Sequence, residues 1–366
     1  MIINRYILKE ILYTLIAVIA VLLLIFISNR FIGFLADASV GDLSADVVLR
    51  MLALKTLGSM VIILPLALFL SVLLAFSRLY KDNEMVAMAA CGVSVRKVYW
   101  LVSIFSFFIA LFVAAISFYL APWAEEQSYR IQDIEKSSTE LSGIAPGRFT
   151  ESGTDGGVFY AAESSADNTI MENVFIQSER EGRQVVLSSR TAHQVVDPVS
   201  GDRFIVLLDG YRYEGVPGSP DFKIIKYNKH ALRIEEQEVI QSYRKHRAKP
   251  TAALVGSEDS RDIAELQWRI SMPLSVILLA LLAVPLSRTT PRQGRYAKLF
   301  VAIMIYVIYN NMLGIGNTWV EDQKISEWVG MWWVHLLLLF GTWILLVNQY
   351  GLAWVLKAML GRTVKA

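Results

Sequence analysis

Residues 78–97 read RLYKDNEMVAMAACGVSVRK, a polar and basic stretch between two long apolar runs, and this stretch decides how the rest of the chain is organised. It is too short to form a domain and too charged to lie within lipid. Asp82 or Asn83 can cap a helix over residues 85–91. Gly92 is a common stop signal for such a helix. The pattern therefore predicts a short helix that lies across one face of a membrane.

One face of this predicted helix is small and pliable. Its side chains recur at i, i+3, i+4 and i+7, which places them together: Met85, Met88, Ala89 and Gly92. Methionine adapts to irregular contact surfaces, so this face suits a groove in a partner protein. Glu84 stands at the N-terminal end, where the helix dipole favours an anion. We predict that these five residues dock on a partner, and a plain loop between two membrane spans is the alternative.

Six apolar runs have about the length of a membrane span. Each is close to the ~20 residues that a helix needs to cross a bilayer. They cover residues 11–27, 56–77, 98–121, 270–287, 299–317 and 329–349. The first run could belong to a cleaved signal peptide, because Ala36-Asp37-Ala38 resembles a small-residue cleavage site. It is longer than the ~7–15 residues of a signal-peptide core, so we predict a transmembrane helix that is retained.

The Lys and Arg residues of the short connections are distributed unequally between the two sides of the membrane. Thirteen lie on one side: Arg5, Lys9, Arg78, Lys81, Arg96, Lys97, Arg288, Arg292, Arg295, Lys298, Lys357, Arg362 and Lys365. Four lie on the other side: Arg30, Arg50, Lys55 and Lys324. Because cytoplasmic connections carry the excess of cations, both termini and residues 78–97 are predicted to be cytoplasmic.

Between the third and fourth runs, roughly residues 124–265, the composition changes to short β-rich stretches separated by turn clusters. The stretches are residues 158–161, 174–176, 184–187, 203–208 and 222–227. Short strands at this spacing predict an antiparallel sandwich, a jelly roll or a related all-β domain. The alternation breaks at Ile224-Ile225, as it would at a bulge. Residues 249–262 have the composition of a linker back to the membrane.

The sequence lacks the motifs of common enzyme chemistries. It contains no G-x-x-x-x-G-K-[ST] loop and no H-E-x-x-H pair, so we predict a noncatalytic chain that does not hydrolyse ATP itself. The four histidines have no metal-ligand spacing, and Cys91 is the only cysteine, which excludes an intrachain disulfide. A net charge of +2 is too small to indicate nucleic acid. We therefore predict no cofactor and no metal for this chain.

Few polar residues lie inside the apolar runs. There is no Asp or Glu, and the main polar candidates are Asn310, Asn311 and His335. Ion-driven carriers use ionisable groups at depth as coupling sites, so a secondary transporter is disfavoured. Gly314 and Gly316 are interpreted as helix-packing residues or a helix irregularity, and not as a phosphate site. A multi-span chain with a docking helix and no energy source of its own indicates that a separate protein supplies the energy for its function.

Three cations gather on the side of the membrane where few are expected: Arg30, Arg50 and Lys55. A phosphorylated lipid headgroup would explain them, because arginine binds phosphate with two parallel hydrogen bonds. Snorkelling to ordinary headgroups is the alternative, and for Lys55 it is the preferred interpretation.

Four segments, in this order and at these spacings, resemble the lipopolysaccharide-export permeases of the LptF/LptG family, and among them the F members most closely. They are MIINRYILKE (1–10), YKDNEMVAMAACGVS (80–94), AELQWRI (264–270) and VPLSRTTPRQGR (284–295). The likeness covers essentially the whole chain. The family often has an asparagine before the proline of the last segment, and here that position is Thr290.

The resemblance implies a bundle of six transmembrane helices with an inserted periplasmic β-jellyroll domain. Residues 1–123 would hold helices 1–3, residues 124–265 the β domain and linker, and residues 266–366 helices 4–6 and a cytoplasmic tail. The chain would be one permease of an ABC-type extractor in which a paralogous permease, G, is its partner. A dimeric cytoplasmic ATPase and a single-span bitopic protein, LptC, would complete the complex. Lipopolysaccharide would be taken from the outer leaflet of the inner membrane and passed along periplasmic β-jellyrolls.

The resemblance also assigns roles by position. Glu84, within residues 82–92, corresponds to a coupling helix seated in a groove of the ATPase, and Arg30 corresponds to a basic residue that faces a lipid A phosphate. The first and fifth spans correspond to walls and gates of a lipid cavity. The strand pattern leaves open whether the inner face of the β domain is a closed core or carries acyl chains, and the resemblance favours the second. The alternatives are the paralogous G permease and a noncatalytic membrane scaffold or sensor.

Overall fold

A computed structural model describes most of the chain. The described residues are 2–40, 45–142, 147, 149–152, 157–165, 170–180, 183–196, 203–216, 223–234, 246–288, 295–353 and 355. The chain divides into two compact units. The first comprises Met1–Gly33, Leu49–Tyr129 and Arg244–Ala366, and the second comprises Phe34–Val48 and Arg130–Tyr243.

The first unit is helical. Its helices are α1 (Ile2–Val40), α2 (Ala45–Lys81), α3 (Glu84–Ala90), α4 (Val95–Ala115), α5 (Ala121–Ser142), α6 (Thr251–Leu254), α7 (Ser260–Leu286), α8 (Arg295–Glu321) and α9 (Trp332–Tyr350). Parts of α1, α2 and α5 belong to the second unit. A π-helical turn, Ile116–Leu120, joins α4 to α5, and a 3₁₀ turn, His246–Ala248, precedes α6. Within the described residues, six helical segments are long and apolar enough to cross a membrane: α1, α2, α4 with α5, α7, α8 and α9. The six-span prediction is confirmed.

The spans differ in how much of their apolar surface the chain itself covers. Two thirds of the most apolar window of α2 and of α7 is buried, against 11% for α1, 28% for α8 and 22% for α9. The core includes Leu68 and Phe76 of α2 with Val276 and Leu279 of α7. A span that is apolar on all sides and uncovered by its own chain needs lipid or another subunit around it. Three of the six spans therefore present broad surfaces to their surroundings.

The inserted domain is an antiparallel β-sheet, as predicted for its class. Its described strands are β1 (Phe149–Ser152), β2 (Gly157–Ser164), β3 (Ile170–Arg180), β4 (Arg183–Val196), β5 (Arg203–Gly215) and β6 (Lys223–Ile234). They form one six-stranded sheet in sequence order. Strands β3 to β6 are longer than the apolar stretches from which we predicted them. Successive side chains of a strand point to opposite faces, so each strand also includes polar residues that lie on the other face of the sheet. One face carries the buried apolar cluster, which includes Ala161, Val174, Leu187 and Leu207.

A line of irregular residues crosses this sheet. Asn173 and Asp209 adopt left-handed backbone conformations, with φ of 51° and 53°. The ladder between β3 and β4 pairs Glu172 with Thr191 and Val174 with Ser189, and skips the residues between. The alternation consequently changes phase, so that Met171 and Val174, three residues apart, both lie in the buried cluster.

The bulge predicted at Ile224-Ile225 is wrong. These residues pair in unbroken register with Tyr213 and Arg212 on β5. Ile224 and Ile225 are exposed over 63% and 37% of their surface. Because neither side chain is needed for the buried face, two apolar residues can stand side by side without a bulge. Residues 249–262, interpreted from composition as a linker, contain α6 and the first turn of α7.

Candidate functional site

Helix α3 occupies the centre of the stretch at residues 78–97, and its ends are formed mainly by backbone. Asn83 is the residue before the helix, but its backbone is left-handed (φ 57°) and its side chain makes no capping bond. At the other end Gly92 has φ 86°, and its N–H donates to the carbonyl of Ala89 at 2.9 Å. Glycine is suited to this left-handed position because it has no Cβ. The side chain of Ser94 then accepts from the N–H of Lys97 at 3.3 Å and begins α4.

Glu84 is bound to α1 and, through α1, to α2. The hydroxyl of Tyr6 donates to Glu84 Oε2 at 2.6 Å, and Arg78 Nη2 donates to the same hydroxyl at 3.2 Å. Arg78 also pairs with Glu10, with Nη1 2.8 Å from Oε1. Tyr6 and Glu10 are four residues apart and so lie on one face of α1. The network fixes how α3 lies against the ends of the first two spans. The sequence could not show it, since the partners lie 68 (Glu10 and Arg78) to 78 (Tyr6 and Glu84) residues apart.

The five residues predicted to dock on a partner are divided between two surfaces. Met85 and Met88 are half-buried and pack against the core of the helical unit. Ala89 and Gly92 are exposed, and Glu84 is half-buried in its network. The surface that α3 leaves open consists of Val86, Ala87, Ala89, Ala90 and Cys91, with Val86 61% exposed. We call these five residues the outer face of α3. The methionines therefore orient α3, and its small residues are available to a partner.

The three cations that the sequence groups together, Arg30, Arg50 and Lys55, have different environments. Lys55 Nζ lies 2.7 Å from Glu125 Oε2 and 5.8 Å from the ring centre of Tyr129, so it is bound within the helical unit. Arg30 is exposed on α1, ten residues before the end of that helix at Val40, and its guanidinium lies 5.6 Å from the ring centre of Phe26. Arg50 is exposed on α2. Arg30 and Arg50 are therefore exposed, whereas the ammonium of Lys55 is paired with Glu125.

Sequence reasoning missed a buried ionic centre at the start of α7. The side chain of Arg269 is 2% exposed, and its Nε lies 2.8 Å from Glu265 Oε1. Its Nη1 donates to Thr251 Oγ1 at 2.7 Å, and its Nη2 donates to the carbonyls of Arg247 and Lys249 at 3.1 and 3.0 Å. We call this centre the α7 clamp. The i, i+4 pair of Glu265 and Arg269 inside AELQWRI was a signal that could have found it.

The α7 clamp also reaches the π-helical turn between α4 and α5. Thr251 donates to the carbonyl of Phe118 at 2.6 Å, and Ser117 donates to the carbonyl of Arg269 at 3.1 Å. π-Helical turns leave backbone groups that need other partners and are frequent at functional sites. The clamp therefore joins the segment before α7 to the third span, within the helical unit.

A neighbouring carboxylate, Asp262, is also neutralised from within the chain. Lys249 Nζ lies 2.8 Å from Oδ1, Ser257 donates to Oδ2 at 2.9 Å, and the ring of His246 contacts Oδ1. His246, Asp259 and Asp262 are close enough together to ligate a metal ion. The ammonium of Lys249 already supplies the positive charge that Asp262 needs, so the donor set fits an ion pair better than a metal site.

Six membrane-spanning helices, an inserted antiparallel β domain and a short helix connecting the second and third spans define a multi-pass membrane protein. The chain belongs to the family described as lipopolysaccharide export system permease LptF/LptG, whose model matches residues 5–348. It is 28% identical over 342 residues to the lipopolysaccharide export system permease protein LptF of Escherichia coli K12, with 93% of each chain covered. The protein of the same name from Shigella flexneri shows the same identity and coverage. The resemblance found in the sequence is confirmed, and the chain is a multi-pass inner-membrane protein.

Proposed function

We propose that the chain is a transmembrane permease subunit of an ABC-type complex that extracts lipopolysaccharide from the outer leaflet of the inner membrane. The observation that carries the proposal is the family match over residues 5–348, which reaches every described span and strand. The sequence has no nucleotide-binding loop, so ATP hydrolysis would be supplied by a dimeric cytoplasmic ATPase. In this proposal the chain itself is noncatalytic and binds no cofactor.

The proposed partners correspond to the surfaces that the chain leaves uncovered. The outer face of α3 would sit in a groove of the ATPase, because small side chains allow close approach of the helix backbone. The exposed sides of α1, α8 and α9 would contact lipid, the paralogous G permease and the single-span protein LptC. The names of the relatives favour the F position for this chain.

Both termini and α3 are proposed to be cytoplasmic and the β domain periplasmic, which the excess of cations on the α3 side supports. Cys91 is the only cysteine of the sequence and is exposed, so it is a native probe. In membranes without the ATPase, an impermeant maleimide should reach Cys91 from the cytoplasmic side only. In a Cys91→Ala variant, Glu258→Cys should react from the periplasmic side only. Reaction of both cysteines from one side would contradict the orientation.

The lipid site is proposed to include Arg30 and Arg50, whose exposed guanidiniums can pair with phosphate. The β domain would then receive the lipid along the face that carries the buried cluster. Ile176 packs against that cluster, whereas Leu208 follows the cluster residue Leu207 and points to the other face. By the same alternation, Val174 lies with Ile176 on the face that carries the cluster, and Val206 lies with Leu208 on the opposite face.

The function is tested in proteoliposomes that contain the chain, the paralogous permease, LptC and the ATPase. A photoreactive residue at Ile176 should capture lipopolysaccharide when ATP is present, and the same residue at Leu208 is the matched control. Arg30→Glu should lower capture more than Arg30→Lys, since an ion pair at 4 Å contributes about 1–4 kcal/mol between water and a near-surface dielectric. A chain that assembles without stimulating ATP hydrolysis and captures no lipid would instead be a scaffold.

A further inference from the structure

A small cavity lies on the β domain, on the face of the sheet opposite to the buried apolar cluster. Its volume is about 330 Å³, at the small end of the range of ligand pockets. Tyr160 of β2, Phe175 of β3 and Tyr211 of β5 contribute rings to its lining. Tyr160 stands between Phe159 and Ala161, which belong to the cluster, so its ring points away from the cluster. The cavity is therefore separate from the face along which the lipid is proposed to pass.

Aromatic rings form a row on this face because their strands are in register. Tyr160 pairs with Phe175, which pairs with Ser188 on the next strand. Ser188 in turn pairs with Tyr211. Residues that pair directly across neighbouring strands lie side by side on one face. The ring of Phe149 on β1 continues the row, with its centre 4.7 Å from that of Tyr160. Ser188 is the one small member among these five residues, so the cavity opens between the rings of Phe175 and Tyr211.

Polar side chains line the cavity where the irregular residues cross the sheet. Asn173 and Asp209 have left-handed backbones, and Arg190 is the residue that the ladder between β4 and β5 skips on its β4 side. All three residues are exposed and belong to the lining. Asparagine and arginine donate hydrogen bonds, and asparagine and aspartate accept them. The irregular line thus brings hydrogen-bonding groups of both kinds to the edge of an aromatic surface.

The lining has no net charge, which limits the class of ligand. Arg190 contributes one cation and Asp209 contributes one anion. Lys226 lies outside the lining, with its Nζ 6.0 Å from the ring centre of Tyr211. A bound phosphate would be repelled by the carboxylate of Asp209. An acyl chain would take both charged groups out of water without giving them hydrogen bonds. An uncharged ligand with many hydroxyls avoids both costs.

Sugar rings have the two properties that this lining requires. Their hydroxyls donate and accept hydrogen bonds, as the amide, guanidinium and carboxylate groups at the edge of the cavity do. The C–H groups on one side of a sugar ring form an apolar surface that packs on the electron-rich face of an aromatic ring. Tyr211 is 43% exposed, so its ring is available for such packing.

We propose that the cavity at Ser188 binds an uncharged saccharide, with one sugar ring packed on Tyr211. The side chains of Asn173, Arg190 and Asp209 would bind its hydroxyls. This site goes beyond the proposed function, which places the lipid on the other face of the sheet and assigns no ligand to this one. A saccharide of this chemistry can come from the outer sugars of lipopolysaccharide or from the glycan of the cell wall, and the probes of the experiment distinguish the two.

Binding is measured on the complete complex in nanodiscs by saturation-transfer NMR, which detects weakly bound oligosaccharides. One probe is a neutral oligosaccharide from the outer polysaccharide of lipopolysaccharide, and the other is an oligomer of N-acetylglucosamine. At least one probe should bind wild type, and the probe that binds identifies the source. Tyr211→Ala removes the packing surface and should raise the Kd about tenfold, which corresponds to about 1.4 kcal/mol. Ser188→Tyr fills the cavity and should raise the Kd at least as much.

Two variants and one competitor serve as controls. Ser188→Ala leaves the cavity open, and its Kd should stay close to that of wild type. Ile224→Ala is the matched control for Tyr211→Ala, because Ile224 is an exposed apolar residue on the same face and lies outside the cavity. It should bind the probe like wild type. Inorganic phosphate in excess should not displace the saccharide, since the lining has no net positive charge.

Four results would overturn the inference. They are the absence of binding of both probes to wild type, an unchanged Kd in Tyr211→Ala and Ser188→Tyr, displacement of the saccharide by phosphate, and loss of a partner subunit from the Ser188→Tyr complex. The third would show an anion site, and the fourth would show that a protein segment occupies the cavity. The assay does not depend on transport. A complex that binds a probe but moves no lipopolysaccharide would therefore contradict the proposed function and support this inference.

Discussion

Arg269→Met is expected to lower the free energy of unfolding by about 3–5 kcal/mol, the cost of removing one partner from a buried ion pair. The substitution leaves the carboxylate of Glu265 without its cation, and the carbonyls of Arg247 and Lys249 lose their donors. Methionine has a similar length and fills most of the space, so a cavity contributes little. The measurement is the midpoint of thermal unfolding of the purified complex, converted to free energy against wild type.

Two variants separate this effect from a general loss of charge. Arg288→Met removes an exposed arginine just after α7, and it should change stability by less than about 1 kcal/mol. The double variant Glu265→Leu with Arg269→Met leaves no unpaired charge, so it should be more stable than Arg269→Met alone. If Arg269→Met unfolds like Arg288→Met, the α7 clamp does not stabilise the chain.

Glu84→Arg is expected to have the largest effect on activity, lowering ATP-dependent export about 5–150-fold, which corresponds to a coupling energy of about 1–3 kcal/mol. The substitution removes the acceptor of the Tyr6 hydroxyl and places a second cation near Arg78. It would also repel a cation on the ATPase that pairs with Glu84. Glu84→Ala should be less severe and Glu84→Gln milder still. Export and ATP hydrolysis are measured together in proteoliposomes.

The Tyr6 hydroxyl provides a control that separates the internal role of Glu84 from its role toward a partner. Tyr6→Phe removes the hydrogen bond to Glu84 and keeps the carboxylate and the ring. If Glu84 contacts the ATPase, Tyr6→Phe should retain most of the export, and a charge reversal on the ATPase should restore part of the loss in Glu84→Arg. Equal losses in Tyr6→Phe and Glu84→Ala would mean that Glu84 only holds α3 in place. Normal export by Glu84→Arg would exclude α3 from coupling.

The class of this fold is encoded locally. A run of ~20 apolar residues has few stable alternatives to a membrane-spanning helix, because the backbone must satisfy its own hydrogen bonds in lipid. Short strands separated by turn residues likewise predict an antiparallel sheet. The bulge expected at Ile224-Ile225 shows the limit of this reasoning. The phase of the alternation changes at Asn173 and Asp209 instead, and a left-handed asparagine or aspartate leaves little signal in sequence.

The site was predictable in position but not in orientation. The sequence pattern predicts a short helix over residues 85–91, where the structure has Glu84–Ala90, and it singles out Glu84. It nevertheless groups Met85 and Met88 with the docking surface. Those side chains pack inward because the ends of the first two spans lie next to α3 and cover them. Lys55 belongs by sequence to a group of three cations, and only Glu125, 70 residues away, shows that its charge is already used.

By itself the sequence determined the six spans, the inserted β domain, a short helix within residues 82–92 and the family. The spans and the short helix depend on periodicity and length within about 20 residues of chain, and the β domain and the family depend on the order and spacing of such segments. The tertiary structure decided which face of α3 is open, which cations are accessible and how Arg269 is neutralised. These features depend on contacts between residues that are distant along the chain, such as Ser117 with Arg269, 152 positions apart. The packing of whole helices brings such residues together, and local patterns carry no record of it.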